Sequence, residues 1–196
     1  MKKYVVSLTL ALALFSTVVA AAQNQDDQGN FRLSSTTFSN GGRLPLSMAL
    51  GSNNCPFVTG GGNTSPQLSW TNAPDETQSF VVTMFDVTAS FTHWGMYNIS
   101  PGTRQLPQNA GIAGSTFGQQ VFNDFSLGAQ YDGPCPPNNL IPLVHEYVFT
   151  VYALNTTLTL QQSPPNFPAN AETLYRAMFG HILKQASIHG FFSSAQ

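Results

Sequence analysis

An antiparallel β-sandwich with one late helix is the fold class this sequence predicts. Three observations carry that reading. Short runs with apolar residues at every second position recur along the chain, and Gly, Pro or Asn closes most of them. Only one stretch, near the C-terminus, spaces its apolar residues at helical intervals. Residues of hydrophobic type make up 42% of the 196 positions and charged ones 8%, enough to fill a core between two sheets.

Met1-Lys2-Lys3, an apolar run over about Tyr4 to Val19 and then Ala20, Ala21 and Ala22 have the layout of a secretory signal peptide. Residues 1–22 are therefore expected to be removed, which points to a periplasmic or secreted protein. The run is short for a membrane span and carries Ser7, Thr9, Ser16 and Thr17. No later stretch is long enough to cross a membrane, so no transmembrane segment is expected after cleavage. Residues 23–30 are polar and read as a linker, and residues 31–196 as the folded domain.

Phe31 to Phe38 alternates and predicts a first strand, followed by the turn Asn40-Gly41-Gly42 and a second short strand over Leu44 to Leu50. GSNNCPFVTGGGNTSP is loop, and Gln67 to Trp70 a short strand stopped by Asn72-Ala73-Pro74. Ser79 to Asp86 is apolar on both faces, as a central strand should be. His93 to Ile99 is the next strand, with His93, Gly95, Tyr97 and Ile99 on one face; only six residues separate Asp86 from His93, so the two should be neighbours. Pro101 to Phe125 lacks periodicity and is long for a connection, which suggests that it borders a functional site. Val144 to Leu154 is a strand. Asn170 caps a helix expected over about Ala171 to Lys184, with Leu174, Ala177, Met178, His181 and Ile182 turned to the sheets. Ser187 to Phe192 is the last strand.

After the leader, the only basic side chains are Arg32, Arg43, Arg104, Arg176 and Lys184, and they form no cluster. Nucleic acid needs a basic stripe, and so does purely electrostatic adsorption to a membrane; both are excluded as functions. Cys55 and Cys135 are the only cysteines. In an oxidising compartment an even pair predicts one disulfide, worth on the order of 4 kcal/mol in the chain-entropy model.

The candidate site lies around Tyr131 to Ala153, where the stiff Gly133-Pro134-Cys135-Pro136-Pro137 runs on to a strand that begins His145-Glu146-Tyr147. His145 and Tyr147 share a face, and Asp86 and His93 sit at other strand ends. If those ends meet, the pocket holds one carboxylate, two imidazoles and a phenol. A phosphate-like anion could accept bonds from imidazolium N–H groups, the Tyr147 hydroxyl and free backbone N–H groups near Gly133 and Cys135. Asp86 would then favour a protonated histidine. Two histidines and an aspartate also suit a divalent-metal hydrolase, but Glu146 points away from them and is a poor acid/base partner. No serine has an activating context. His181 and His189 read as structural or exposed.

The ordered blocks CPFVTGGGNTSPQLSW, NAPDETQSFVVTMFD, HWGMYNI, NDF, YDGPCPP, HEYVFTVYAL and GHILKQASIHG resemble the phosphatidylethanolamine-binding protein family, in its exported bacterial, Raf-kinase-inhibitor-like branch. The resemblance implies a sandwich of two antiparallel sheets with a C-terminal helix. It also implies a non-enzymatic anion pocket for phosphate-bearing headgroups, with no cofactor and no metal. Carried over by position, Asp86 matches the first acid of the family's D-P-D-x-P motif and His93 its pocket histidine. Pro136 and Pro137 match the G-x-P-P loop, and His145 and Tyr147 the H-R-Y motif. Cys55 and Cys135 resemble the cysteine pair of exported members. The ligand-binding set expected here is thus Asp86, His93, Cys135, Pro136, Pro137, His145 and Tyr147. Two motifs depart from the pattern: D-P-D-x-P has become Asp86-Val87-Thr88-Ala89-Ser90, and the arginine of H-R-Y is Glu146. Kinase inhibition is not carried over, because an exported protein does not meet a cytoplasmic kinase of its own cell. The expected partner is a small anion or phospholipid headgroup. The rival reading is a protein-interaction module with a vestigial pocket, using the Pro101 to Phe125 loop. The sequence sets no oligomeric state.

Overall fold

The computed structural model describes residues 30–160 and 168–195, so the expected signal peptide and all but the last residue of the linker lie outside it. The strands are β1 (Arg32–Ser34), β2 (Gly42–Arg43), β3 (Leu68–Thr71), β4 (Ser79–Asp86), β5 (Phe91–Ile99), β6 (Gln105–Leu106), β7 (Gln119–Gln120), β8 (His145–Leu154) and β9 (Ile182–Phe192); the helix α1 spans Ala171–Met178. They build a three-stranded sheet in the order β1-β3-β6 and a six-stranded sheet in the order β2-β9-β8-β4-β5-β7.

β4 lies inside the large sheet, paired with β5 on one side and β8 on the other, and both of its faces are apolar because each is covered by a packed layer. Phe80, Val82 and Met84 of β4 join Phe149 and Val151 of β8 in the main core, together with Leu33, Leu68, Trp70 and Leu106 from the smaller sheet. The opposite face of β4 presents Val81 to a second cluster with Leu174 and Met178 of α1. The molecule is thus a sandwich whose outer face is covered by the helix. Every strand pairing is antiparallel except the two-residue β2–β9 contact, which is parallel.

The first strand is shorter than expected, Arg32–Ser34 of Phe31 to Phe38; beyond it, three expected elements end elsewhere, each for a local reason. The helix stops at Met178, six residues early, because Gly180 takes a left-handed conformation (φ 81°) just beyond it. The freed segment extends the last strand back to Ile182, pairing it with β8 along nearly its full length. His181 and Ile182 are therefore not on the helix; His181 bonds Asn155 instead. Leu44 to Leu50 is not a strand: Leu46–Met48 forms a 3-10 turn after Pro45, with Met48 and Ala49 N–H donating to the carbonyls of Pro45 and Leu46.

The last difference matters most for function. In β5 the strict period of two breaks twice. Met84 faces Trp94 but Phe85 faces Thr92, so His93 is the extra residue of a β-bulge; a second register shift falls between Met96 and Ile99. His93 consequently turns to the same side as Tyr147, and Trp94 beside it is buried in the main core, while Tyr97 joins the helix-side cluster. The four residues expected on one face are split between two.

Cys55 and Cys135 form a disulfide across 80 residues of sequence, tying the loop before β3 to the loop before β8. Replacing both with Ser should lower the unfolding free energy by about 4 kcal/mol in urea titration, with no change of fold by circular dichroism. An unchanged urea midpoint would show that the bridge is not a stability element.

Candidate functional site

β4 ends on Asp86, which is buried and has both oxygens occupied. Oδ1 accepts the backbone N–H groups of Thr88 and Ala89 at 2.9 Å, so the short turn into β5 closes on its own carboxylate. Oδ2 accepts from His145 Nδ1 at 2.7 Å. Asp86 pairs with Tyr147 in the β4–β8 ladder, and His145 sits two residues before Tyr147, so one register places the carboxylate, the imidazole and the phenol together. The His145 and Tyr147 rings stack with centroids 6.4 Å apart. Thr88, inside the altered motif, also holds the start of β8: its hydroxyl accepts the Glu146 N–H.

The bulge brings in His93. Its ring meets Tyr147 edge-on at 5.2 Å, and Phe91 and Phe125, both half-buried, flank it at 5.0 and 5.3 Å. Its Nδ1 lies 2.8 Å from the carbonyl oxygen of Asp132. A carbonyl only accepts, so Nδ1 carries the proton and donates. Burial lowers the His93 pKa below 6.5, outweighing the opposing pull of the Asp132 carbonyl and the Asp86 charge. His93 is therefore a neutral imidazole with the Nε2 lone pair left over. At this ring desolvation outweighs the nearby Asp86 charge, which was expected to favour a protonated histidine.

Tyr147 is fully buried, and its hydroxyl, which interacts with the Asp86 carboxylate, makes no hydrogen bond of full geometry. Its pKa is raised, first by burial and then by the Asp86 carboxylate. A phenol so placed beside a paired histidine and carboxylate is ready to donate.

The rigid loop is joined to this cluster by a residue the sequence reading passed over. Asp132 is completely buried and accepts from three amides: Asn63 and Gln130 at Oδ1, Asn123 at Oδ2, at 3.2, 2.9 and 2.7 Å. Asn63, Asn123 and Asp132 all lie in blocks quoted above, GGGN, NDF and YDGPCPP, and a buried acid is the kind of residue that recruits amides. Nothing in the linear spacing assigns those amides to it.

Gly133 must be glycine: a Cβ there would lie 1.8 Å from the Met48 carbonyl oxygen. Its N–H is not free, as expected, but donates to Asn63 Oδ1. Cys135 is taken up by the bridge, Pro136 is buried and Pro137 half-buried. Asp86, His93, His145 and Tyr147 are therefore brought together, while hydrogen bonding ties the loop to them through Asp132 rather than through Cys135, Pro136 or Pro137. Glu146 faces away and pairs with His189. Among the described residues no group of three or more His, Cys, Asp or Glu side chains is placed to hold a metal.

Comparison with known proteins agrees with this architecture. The sequence profile described as phosphatidylethanolamine-binding protein matches residues 34–193. The chain is 35% identical over 164 residues to the UPF0098 protein YbcL of Escherichia coli K12, covering 80% of this chain and 81% of that one. Against a UPF0098 protein of Methanothermobacter thermautotrophicus it is 34% identical over 166 residues, 82% and 97% of the two chains. The crystal structure of E. coli YbcL, described as a new member of the mammalian PEBP family, matches with a TM-score of 0.68 at 30% identity, over 83% of this chain and 98% of that one. A putative PEBP homologue from Chlamydia trachomatis gives 0.65 at 29%, over 83% and 97%. The profile match spans most of the chain and the sandwich agrees with both solved structures: this protein belongs to the phosphatidylethanolamine-binding protein family.

Proposed function

We propose that the chain is an exported, non-enzymatic protein that binds a small phosphate-bearing anion, such as a phosphate ester or a phospholipid headgroup, at Asp86, His93, His145 and Tyr147. The observation that carries the reading is the Tyr147 hydroxyl, buried beside Asp86 without a hydrogen bond of full geometry. Leaving such a group unsatisfied costs about 1–3 kcal/mol, and a ligand oxygen would recover it. Export is supported by the Cys55–Cys135 bridge, which suits an oxidising compartment. Binding rather than catalysis is supported by the ring contacts: His145 is held by Asp86 and His93 by a backbone carbonyl, with no hydroxyl or thiol nucleophile bonded to either among the described residues.

The hydrogen-bonding inventory narrows the ligand. Tyr147 donates, and His145, bonded to Asp86 through Nδ1, has Nε2 left over. His93 Nε2 accepts. The cluster thus suits an anion that also carries a proton to give, from a P–OH group or from the ammonium of phosphorylethanolamine. Sulfate has oxygens of similar geometry but no proton at neutral pH.

Inorganic phosphate and phosphorylethanolamine should each shift the ring signals of His93 and His145 in NMR titration, and sulfate should shift them far less. Equal response to sulfate would refute the donor–acceptor assignment, and silence towards both phosphates would end the binding proposal. Tyr147→Phe should leave stability unchanged or raise it by about 1 kcal/mol, because it removes the poorly bonded hydroxyl, yet weaken phosphorylethanolamine binding about tenfold. Binding as tight as wild type would take Tyr147 out of the site.

The neutral state of His93 has its own signature. Its folded pKa lies below the unfolded value near 6.5, so the unfolded chain binds more protons in between. Its contribution is complete above about pH 6.5 and is lost as the pH falls through that value towards the folded pKa. Urea midpoints of the wild type should therefore drop between about pH 7 and about pH 5, more steeply than those of His93→Gln. Parallel curves would mean that His93 is charged in the fold.

A further inference from the structure

The segment that delivers His145 to the site, residues 138–144, reads Asn-Asn-Leu-Ile-Pro-Leu-Val and carries no charge. Its aliphatic side chains point to water: Leu140 is 61% exposed, Ile141 91%, Leu143 38% and Val144 52%. Elsewhere on the described surface, exposed large apolar residues do not gather four to a five-residue stretch. Beside the loop lies a cleft of about 460 Å³ walled by Leu143, Val144, Phe191, Phe192 and Arg43. Arg43 has no carboxylate partner among the described residues, whereas Arg176 is paired with Glu172.

We propose that residues 138–144 are an insertion loop that seats the protein on a phospholipid bilayer, with Arg43 meeting lipid phosphates at its base. Four contiguous aliphatic groups and one unpaired guanidinium are complementary to a lipid surface, where hydrocarbon and phosphate lie within a few ångströms of each other. The scattered cations of this chain are too few for electrostatic adsorption, so shallow apolar insertion is the route left open. A stable protein interface takes about 20–30 residues a side, far more than this loop presents. Because the loop runs directly into His145, seating it would bring the Asp86–His145–Tyr147 cluster to headgroup depth. What the cluster captures there rests on the phosphate reading above; the seat itself does not.

The test is site-specific tryptophan quenching by brominated lipids in vesicles of phosphatidylcholine, with and without phosphatidylglycerol. Trp70 and Trp94 are buried, so a new tryptophan reports its own surroundings. Ile141→Trp in the full chain should shift to the blue and be quenched. Phe179→Trp, equally exposed but at the far end of β9, about 30 Å away along the strand, should not. Adding Leu140→Asp to Ile141→Trp should weaken the lipid affinity read at position 141 about tenfold. Arg43→Gln should weaken it in both kinds of vesicle, and more in those that contain phosphatidylglycerol.

Equal quenching at 141 and 179 would mean adsorption by another part of the chain, the apolar N-terminus included, and would overturn the proposal, as would no quenching at 141. A blue shift at 141 that depends on protein concentration without vesicles would assign the loop to a second copy of the chain and overturn it too. Phosphorylethanolamine titration of the same proteins separates the two readings: quenching without histidine shifts would sink the pocket and keep the seat, and the reverse would sink the seat alone.

Discussion

A buried carboxylate with no cationic partner among the described residues holds this site together. Asp132 is completely enclosed, and three neutral amides, from Asn63, Asn123 and Gln130, supply the hydrogen bonds that water would otherwise give. Those amides come from two separate loops. Satisfying one acid therefore fixes the Gly-rich loop, the segment after β7 and the stiff Gly-Pro-Cys-Pro-Pro loop relative to one another. The same residue's carbonyl then sets the tautomer and direction of His93. Loss of the carboxylate would take an acceptor from three amides at once, the buried Asn123 among them, so its effect reaches well beyond one contact.

The cluster divides its work between two histidines in unlike surroundings. His145 is bonded to a carboxylate, and His93 to a carbonyl inside an aromatic cage. Desolvation favours the neutral ring at His93. Each ring is held through Nδ1 and has Nε2 left over. The altered motif around Thr88 keeps this arrangement without the family's prolines. Asp86 caps its own turn, and the Thr88 hydroxyl holds the first residues of β8 in register. Where a proline would stiffen the turn covalently, side-chain and backbone hydrogen bonds do so here.

Much of the architecture was legible in the chain itself. Ser79 to Asp86 reads as a central strand because both of its faces are apolar, and it has neighbours on both sides. The Asn170 cap is present as a reciprocal capping box with Thr173. Where the reading failed, a local device overrode periodicity: a left-handed glycine ended α1, a proline turned an apparent strand into a 3-10 turn, and bulges shifted β5. None of these changes the hydrophobic pattern strongly enough to be seen in it, because each displaces the register by only a few residues.

The sequence by itself determined which residues are chemically equipped for the site and that strand alternation would put His145 and Tyr147 side by side. Covalent spacing and the two-residue period of a strand require no further information. Only the tertiary structure decided that His93 joins them, since an extra residue in β5 rotates it to the other face. It alone decided that this ring is neutral, because burial depends on what packs around it. It also decided that Asp132, unremarkable in the chain, anchors the surrounding loops: a buried acid acquires its meaning from donors that linear distance cannot identify.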